Sequence, residues 1–133
     1  MRYMLMLYAD EKAGAAIPPD RMEKAMETMF AYQAALEKAG AFVMTAPLAR
    51  TPDARTLRME GGRPSFDGKA FTNPDGELKV HDGPYAETRE QFGGYFFVDV
   101  PSLEEAVAWA RRCPSSRFGT IEVRPVHEPR PGN

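Results

Sequence analysis

Six residues able to handle protons or polar ligands, His81, Asp82, Tyr85, Glu87, Arg89 and Glu90, crowd into HDGPYAETRE, directly ahead of the apolar run QFGGYFFVDV. Imidazole, carboxylate, phenol and guanidinium at this spacing could move protons or hold a polar ligand, and a His beside an Asp could begin a metal site. A metal needs further ligands. The other histidine, His127, and the single cysteine, Cys113, are remote in the sequence, so no metal centre is expected. Asp82 can hydrogen-bond the backbone two residues on and Gly83-Pro84 sets a turn, which explains the first three motif positions without a ligand. Turn chemistry does not explain the charges that follow. Charges just ahead of a strand buried on both faces are usually paired or used, within or between subunits or in a pocket. Asp82, Tyr85, Glu87 and Arg89 are therefore the candidate ligand-binding set, and no catalytic residue is assigned.

The remaining chemistry is sparse. Cys113 ends a helical pattern, where the negative end of the helix dipole disfavours a thiolate, and as a lone cysteine it can form no intrachain disulfide. The glycines of GGRP and FGGYF lack phosphate-loop or dinucleotide spacing. No cofactor is expected. A formal net charge of -2 and Lys/Arg clusters no longer than a pair give no basic field, which argues against direct nucleic-acid binding. No apolar stretch approaches the roughly 18 residues of a membrane span. The apolar run from Tyr3 to Ala9 is too short for a signal peptide. A cytoplasmic location is expected.

The elements that must position these residues follow from periodicity. YMLMLYA and GGYFFVDV lack polar alternation and read as central strands covered on both faces. PPDRMEKAMETMFAYQAALEKAG reads as a helix with Asp20 as N-cap, Glu23 completing a capping box, Met22, Met26 and Met29 packing the core, and Gly40 as C-cap. AFVMTAPLA is a strand. TLRMEGGRPSF reads as a small hairpin and NPDG, residues 73–76, as a type I turn, so that about 50–81 is an excursion from the core. Ser102 and Glu105 open a second helix, with Leu103, Ala106, Val107 and Ala110 as its stripe, which stops before Pro114. GTIEVRPV is the last strand. The chain of 133 residues is expected to form one domain over 1–127, with 128–133 as a tail. The fold class is α+β, a ferredoxin-like doubled βαβ with an antiparallel sheet.

Two helices cover one face of a four-stranded sheet. The other face would leave Met4, Met6, Tyr8 and several aromatics in water, a patch larger than soluble monomers tolerate, so a second copy is expected to cover it.

DGPYAETREQFGGYFFVDVPSLEEAVAWARRCP followed by GTIEVRPV closely resembles the DGPF-domain branch of the YCII-related proteins, with Tyr85 replacing the Phe of the motif. The match is specific over 80–126 and looser over 1–49. The segment from about 62 to 79 is longer than usual in that branch. The resemblance implies a homodimeric α+β barrel and no assigned reaction. Genes of the branch often lie beside those of extracytoplasmic-function sigma factors. The wider family is credited with a His-Asp acid/base pair, and alignment places Met29 and Cys113 at those positions. Methionine has no proton to transfer.

Two functions therefore stand open. One is a non-catalytic interaction or regulatory protein, with a sigma factor as partner. The other is a small-molecule binding protein or modest acid/base enzyme using the barrel cleft, with Tyr85, Glu87 and Arg89 as polar groups.

Overall fold

The computed structural model describes residues 1–128, so most of the expected tail lies outside the described residues. The chain divides into two compact units, one built from Met1–Leu48 and the chain from Thr88 onward, the other from Ala49–Glu87. The expected excursion at about 50–81 falls inside the second.

The first unit is a four-stranded antiparallel sheet with helices. Its strands are β1 (Arg2–Ala9), β2 (Phe42–Pro47), β7 (Gln91–Asp99) and β8 (Thr120–Pro125), in the order β2-β7-β1-β8. The two strands without polar alternation, β1 and β7, are the central ones, as their sequences require. Tyr3 pairs with Val98 and Leu5 with Phe96, and these four side chains are buried together. They share one core with Tyr32 and Leu36 of α2 (Pro19–Lys38) and with Ala106 and Ala110 of α3 (Leu103–Arg112). Both helices therefore pack on that face. On the opposite face the register aligns Met44, Phe97, Met4 and Arg124 in one row and Ala46, Tyr95, Met6 and Glu122 in the next.

Helix ends show where local signals hold. Ser102 Oγ accepts the Glu105 N–H at 3.2 Å, the expected cap of α3. At the end of α2, Gly40 adopts φ +71° and the Gly40 and Ala41 N–H groups reach back to Glu37 and Leu36, a Schellman closure. The start of α2 differs from expectation. Pro18 is the N-cap and Pro19 the first helical residue, so Asp20 lies in the first turn and caps nothing. Proline needs no N–H there and its fixed φ suits the first turn, so the Pro-Pro pair overrides the capping box. The apolar stripes are also shallower than expected: Met26 is 51% and Phe30 64% exposed, and in α3 Leu103 and Val107 are exposed while Ala106 and Ala110 are buried. A short helix, α1 (Glu11–Ala15), capped by Asp10, is an addition with no periodic signal.

The second unit consists of two ribbons. β3 (Arg55–Glu60) pairs with β6 (Glu77–Asp82), and β4 (Ser65–Phe66) with β5 (Phe71–Thr72). The expected hairpin across Gly61-Gly62 is thus corrected: the partner of 55–60 is 77–82, and NPDG links the ribbons instead of closing a turn between β5 and β6. Gly76 is required by close approach, since a Cβ there would collide with the Glu60 and Gly61 carbonyls. Alternation gives the β3–β6 ribbon one face with the pairs Leu57–Val80 and Met59–Leu78 and another with Thr56–His81 and Arg58–Lys79. At its corner Gly83 has φ +106°, its N–H donates to Ala54 at 2.8 Å, and its carbonyl accepts from Thr56 Oγ1 at 2.9 Å.

Two outcomes are expected. Tyr32 donates its hydroxyl to the Trp109 carbonyl at 2.7 Å, and burial raises its phenol well above the ordinary value. The unfolded phenol ionises near about 10, so native stability should fall as pH rises beyond that. Tyr32→Phe should cost about 1 kcal/mol at neutral pH and flatten the alkaline loss. Urea unfolding with equal alkaline slopes in both proteins would contradict this. Gly83→Ala places a side chain at positive φ and should destabilise the β3–β6 ribbon by about 1–3 kcal/mol, read by amide hydrogen exchange, while Asp82→Ala stays within about 0.5 kcal/mol.

Candidate functional site

The DGPY corner separates its candidate residues. Asp82 Oδ1 lies 3.0 Å from Arg55 Nε in an exposed ion pair, so its carboxylate serves the ribbon and not the turn cap expected of it. His81 Nε2 stands 3.1 Å from the Pro84 carbonyl. Tyr85 is 78% exposed and, with Thr56, Arg58, Lys79 and His81, lines a cleft of about 320 Å³ in the second unit. Glu87 and Arg89 are exposed. Their neighbours carry the order that the sequence hid. Thr88 Oγ1 donates to the Glu90 carbonyl, Gln91 Nε2 donates to the Thr88 carbonyl at 2.6 Å, and Glu90 Oε1 accepts from Thr120 Oγ1 at 2.7 Å. Gln91 Oε1 also accepts the Glu11 N–H at 2.9 Å. These bonds tie the start of β7 to β8 and α1. No local pattern marks them, because their partners are distant in sequence.

The positions credited with acid/base work in the wider family are chemically quiet. Cys113 is buried in the core, and burial raises its thiol above the ordinary value although Ser115 hydrogen-bonds favour the thiolate. Met29 is half-buried, and its Sδ accepts from the Ser115 hydroxyl at 3.8 Å. The thiol stays protonated at neutral pH and the thioether has no proton, so neither side chain can exchange one there.

A more apolar cavity lies beside α2 in the first unit. It measures about 330 Å³ and is lined chiefly by Met26, Met29 and Phe30 from the helix and by Thr45, Gly94 and Phe96 from the sheet. Thr45 pairs with Phe96, whose buried side chain faces the helices, so both project towards α2. The space depends on a bulge. The β1–β7 register shifts between Leu7 and Tyr8, leaving Gly93 as the extra residue, and a Cβ on Gly94 would lie 3.0 Å from the Ala46 carbonyl. Among its polar side chains, Thr45 Oγ1 donates to the Tyr95 carbonyl at 2.8 Å and Gln33 Nε2 to Glu37 Oε1 at 2.9 Å. Among the described residues no carboxylate, imidazole, ammonium or thiol lines this cavity. The arrangement can hold an apolar molecule, but it offers no group for proton transfer near neutral pH. Sequence reading took these methionines for core filling and so missed the cavity; the exposed Phe30, one residue off the buried stripe, is the trace it left.

Among the described residues no group of three His, Cys, Asp or Glu side chains is placed to hold a metal ion, and no helix is long and apolar enough to cross a membrane. An uncharacterized protein of Rhizobium meliloti (strain 1021) is 34% identical over 134 residues, which covers 99% of this chain and 97% of that protein. The sequence profile of the YCII-related domain matches residues 1–130, running through both compact units. The chain belongs to the YCII-related family.

Proposed function

We propose that this protein is a cytoplasmic homodimer of the DGPF branch that binds a small apolar molecule beside α2 and performs no acid/base catalysis there. The observation that carries the reading is the cavity itself. It is lined by methionine, phenylalanine and backbone, its Thr45 hydroxyl and Gln33 Nε2 are hydrogen-bonded within the chain, and among the described residues no group that titrates near neutral pH lines it. Methionine suits such a role because its unbranched, polarisable side chain adapts to different shapes.

The dimer rests on the other face of the sheet. The strand order β2-β7-β1-β8, with both helices on one side, supports reading it as a ferredoxin-like doubled βαβ. Met4, Met6, Tyr8 and Phe97 are only half-buried on the opposite side, and Met44 is exposed. A second copy laid sheet against sheet would close a dimeric α+β barrel and remove this patch from water.

A second reading is favoured by the β3–β6 ribbon. Leu57, Leu78 and Val80 are each more than half exposed on one face, and Tyr85 is exposed at its end, a surface suited to a protein partner such as a sigma factor. On this reading Asp82, Tyr85 and Glu87 form the polar rim of the contact.

A neutral fluorescent probe such as 1-aminoanthracene should bind saturably, and Thr45→Phe, which fills the cavity from the sheet, should weaken it roughly tenfold. Unchanged binding in Thr45→Phe would overturn the assignment of the cavity. Sedimentation equilibrium at low micromolar concentration should show a dimer, and Met4→Glu should shift it towards monomer; monomer alone in the unaltered protein would contradict the barrel.

A further inference from the structure

A further cleft, of about 440 Å³, lies between α2 and the 3₁₀ turn Pro114–Arg117 and shares Met29 with the apolar cavity. We propose that it binds an organic anion bearing a small apolar group, a carboxylate or a phosphate monoester. Arg21 and Lys24 of α2 and Arg117 of the turn line it, and among the described residues no carboxylate does. None of these three cations takes part in an ion pair among the described residues, although the chain carries 19 acidic residues against 17 basic ones. Three cations lining one cleft, with no carboxylate among its described lining residues, give it a positive field that suits an anion.

Their placement on the helix sharpens the point. Arg21 is the third residue of α2, so it adds positive charge to the positive end of the helix dipole, where a carboxylate would be favourable. Arg21, Lys24 and Thr28 recur at spacings of three and four and so share one face of the helix. The acidic residues of the same stretch, Asp20, Glu23 and Glu27, do not line the cleft.

The rest of the lining defines the ligand's other half. Ala25, Met29, Pro114 and Phe118 supply an apolar floor, and Phe118 is 76% exposed, with its ring free to lie against a bound group. Two guanidinium groups fit the paired oxygens of a carboxylate or phosphate, with the Lys24 ammonium as a point charge beside them. A simple inorganic anion would leave the floor unused. This site does not depend on the apolar cavity described above, since its charged residues line no part of that cavity.

Calorimetry on the full chain with benzoate, phenyl phosphate, inorganic phosphate and neutral benzamide tests the proposal. At least one aromatic anion should bind at one site per chain and weaken as salt is raised, with benzamide and inorganic phosphate roughly tenfold weaker. Whether benzoate or phenyl phosphate binds tighter identifies the head group. Lys24→Gln and Arg117→Gln should each weaken binding roughly fivefold or more with the melting temperature unchanged, whereas Thr45→Phe should leave it intact. Binding of benzamide or inorganic phosphate as tight as that of the aromatic anions, retention of affinity in the Lys24→Gln/Arg117→Gln double variant, or absence of binding by both aromatic anions would overturn it.

Discussion

The structure turns on one constraint: β1 and β7 are apolar on both faces, and the chain's own helices can satisfy only one. Tyr3, Leu5, Phe96 and Val98 are sealed against α2 and α3, with Leu36, Val98 and Leu5 wholly buried. That seal fixes which side of the sheet the helices occupy, and with it the two spaces along α2. It also leaves Met4, Met6, Tyr95 and Phe97 on the side that a second copy is proposed to cover.

Helix α2 is the organising element for chemistry as well as for packing. Its C-terminal half, through Tyr32 and Leu36, is locked into the core and to the Trp109 carbonyl of α3. Before Tyr32, Met26 and Phe30 rim the apolar cavity and Arg21 and Lys24 rim the basic cleft. Met29 lies where the two meet and is held by Ser115, itself next to Cys113. In place of a proton-transferring pair the protein has a flexible thioether and a buried thiol.

What was legible in the sequence followed from local physics. Gly40 closes α2 because only a residue tolerant of positive φ fits there, Ser102 caps α3, and unalternated apolar runs became the central strands. What was not legible came from pairing across distance. The alternation of Leu57 and Met59 correctly signals a strand, but its partner at 77–82 is chosen by register and not by the nearby Gly-Gly. Asp20 loses its cap because two prolines start the helix earlier. The apolar cavity was hidden because it needs a bulge at Gly93 and a sheet neighbour, Thr45, that no stretch of sequence places beside Phe30. Of the DGPY motif, the turn itself was legible through Gly83; the fate of the Asp82 carboxylate was decided by Arg55 across the ribbon.

The most direct test of the account is to see where a bound neutral apolar molecule sits. Intermolecular nuclear Overhauser effects from such a ligand to a protein labelled at methionine methyl groups and phenylalanine rings report this. The account predicts contacts to Met26, Met29 and Phe30. Contacts to Met59 of the β3–β6 ribbon, with none to the α2 residues, would contradict it.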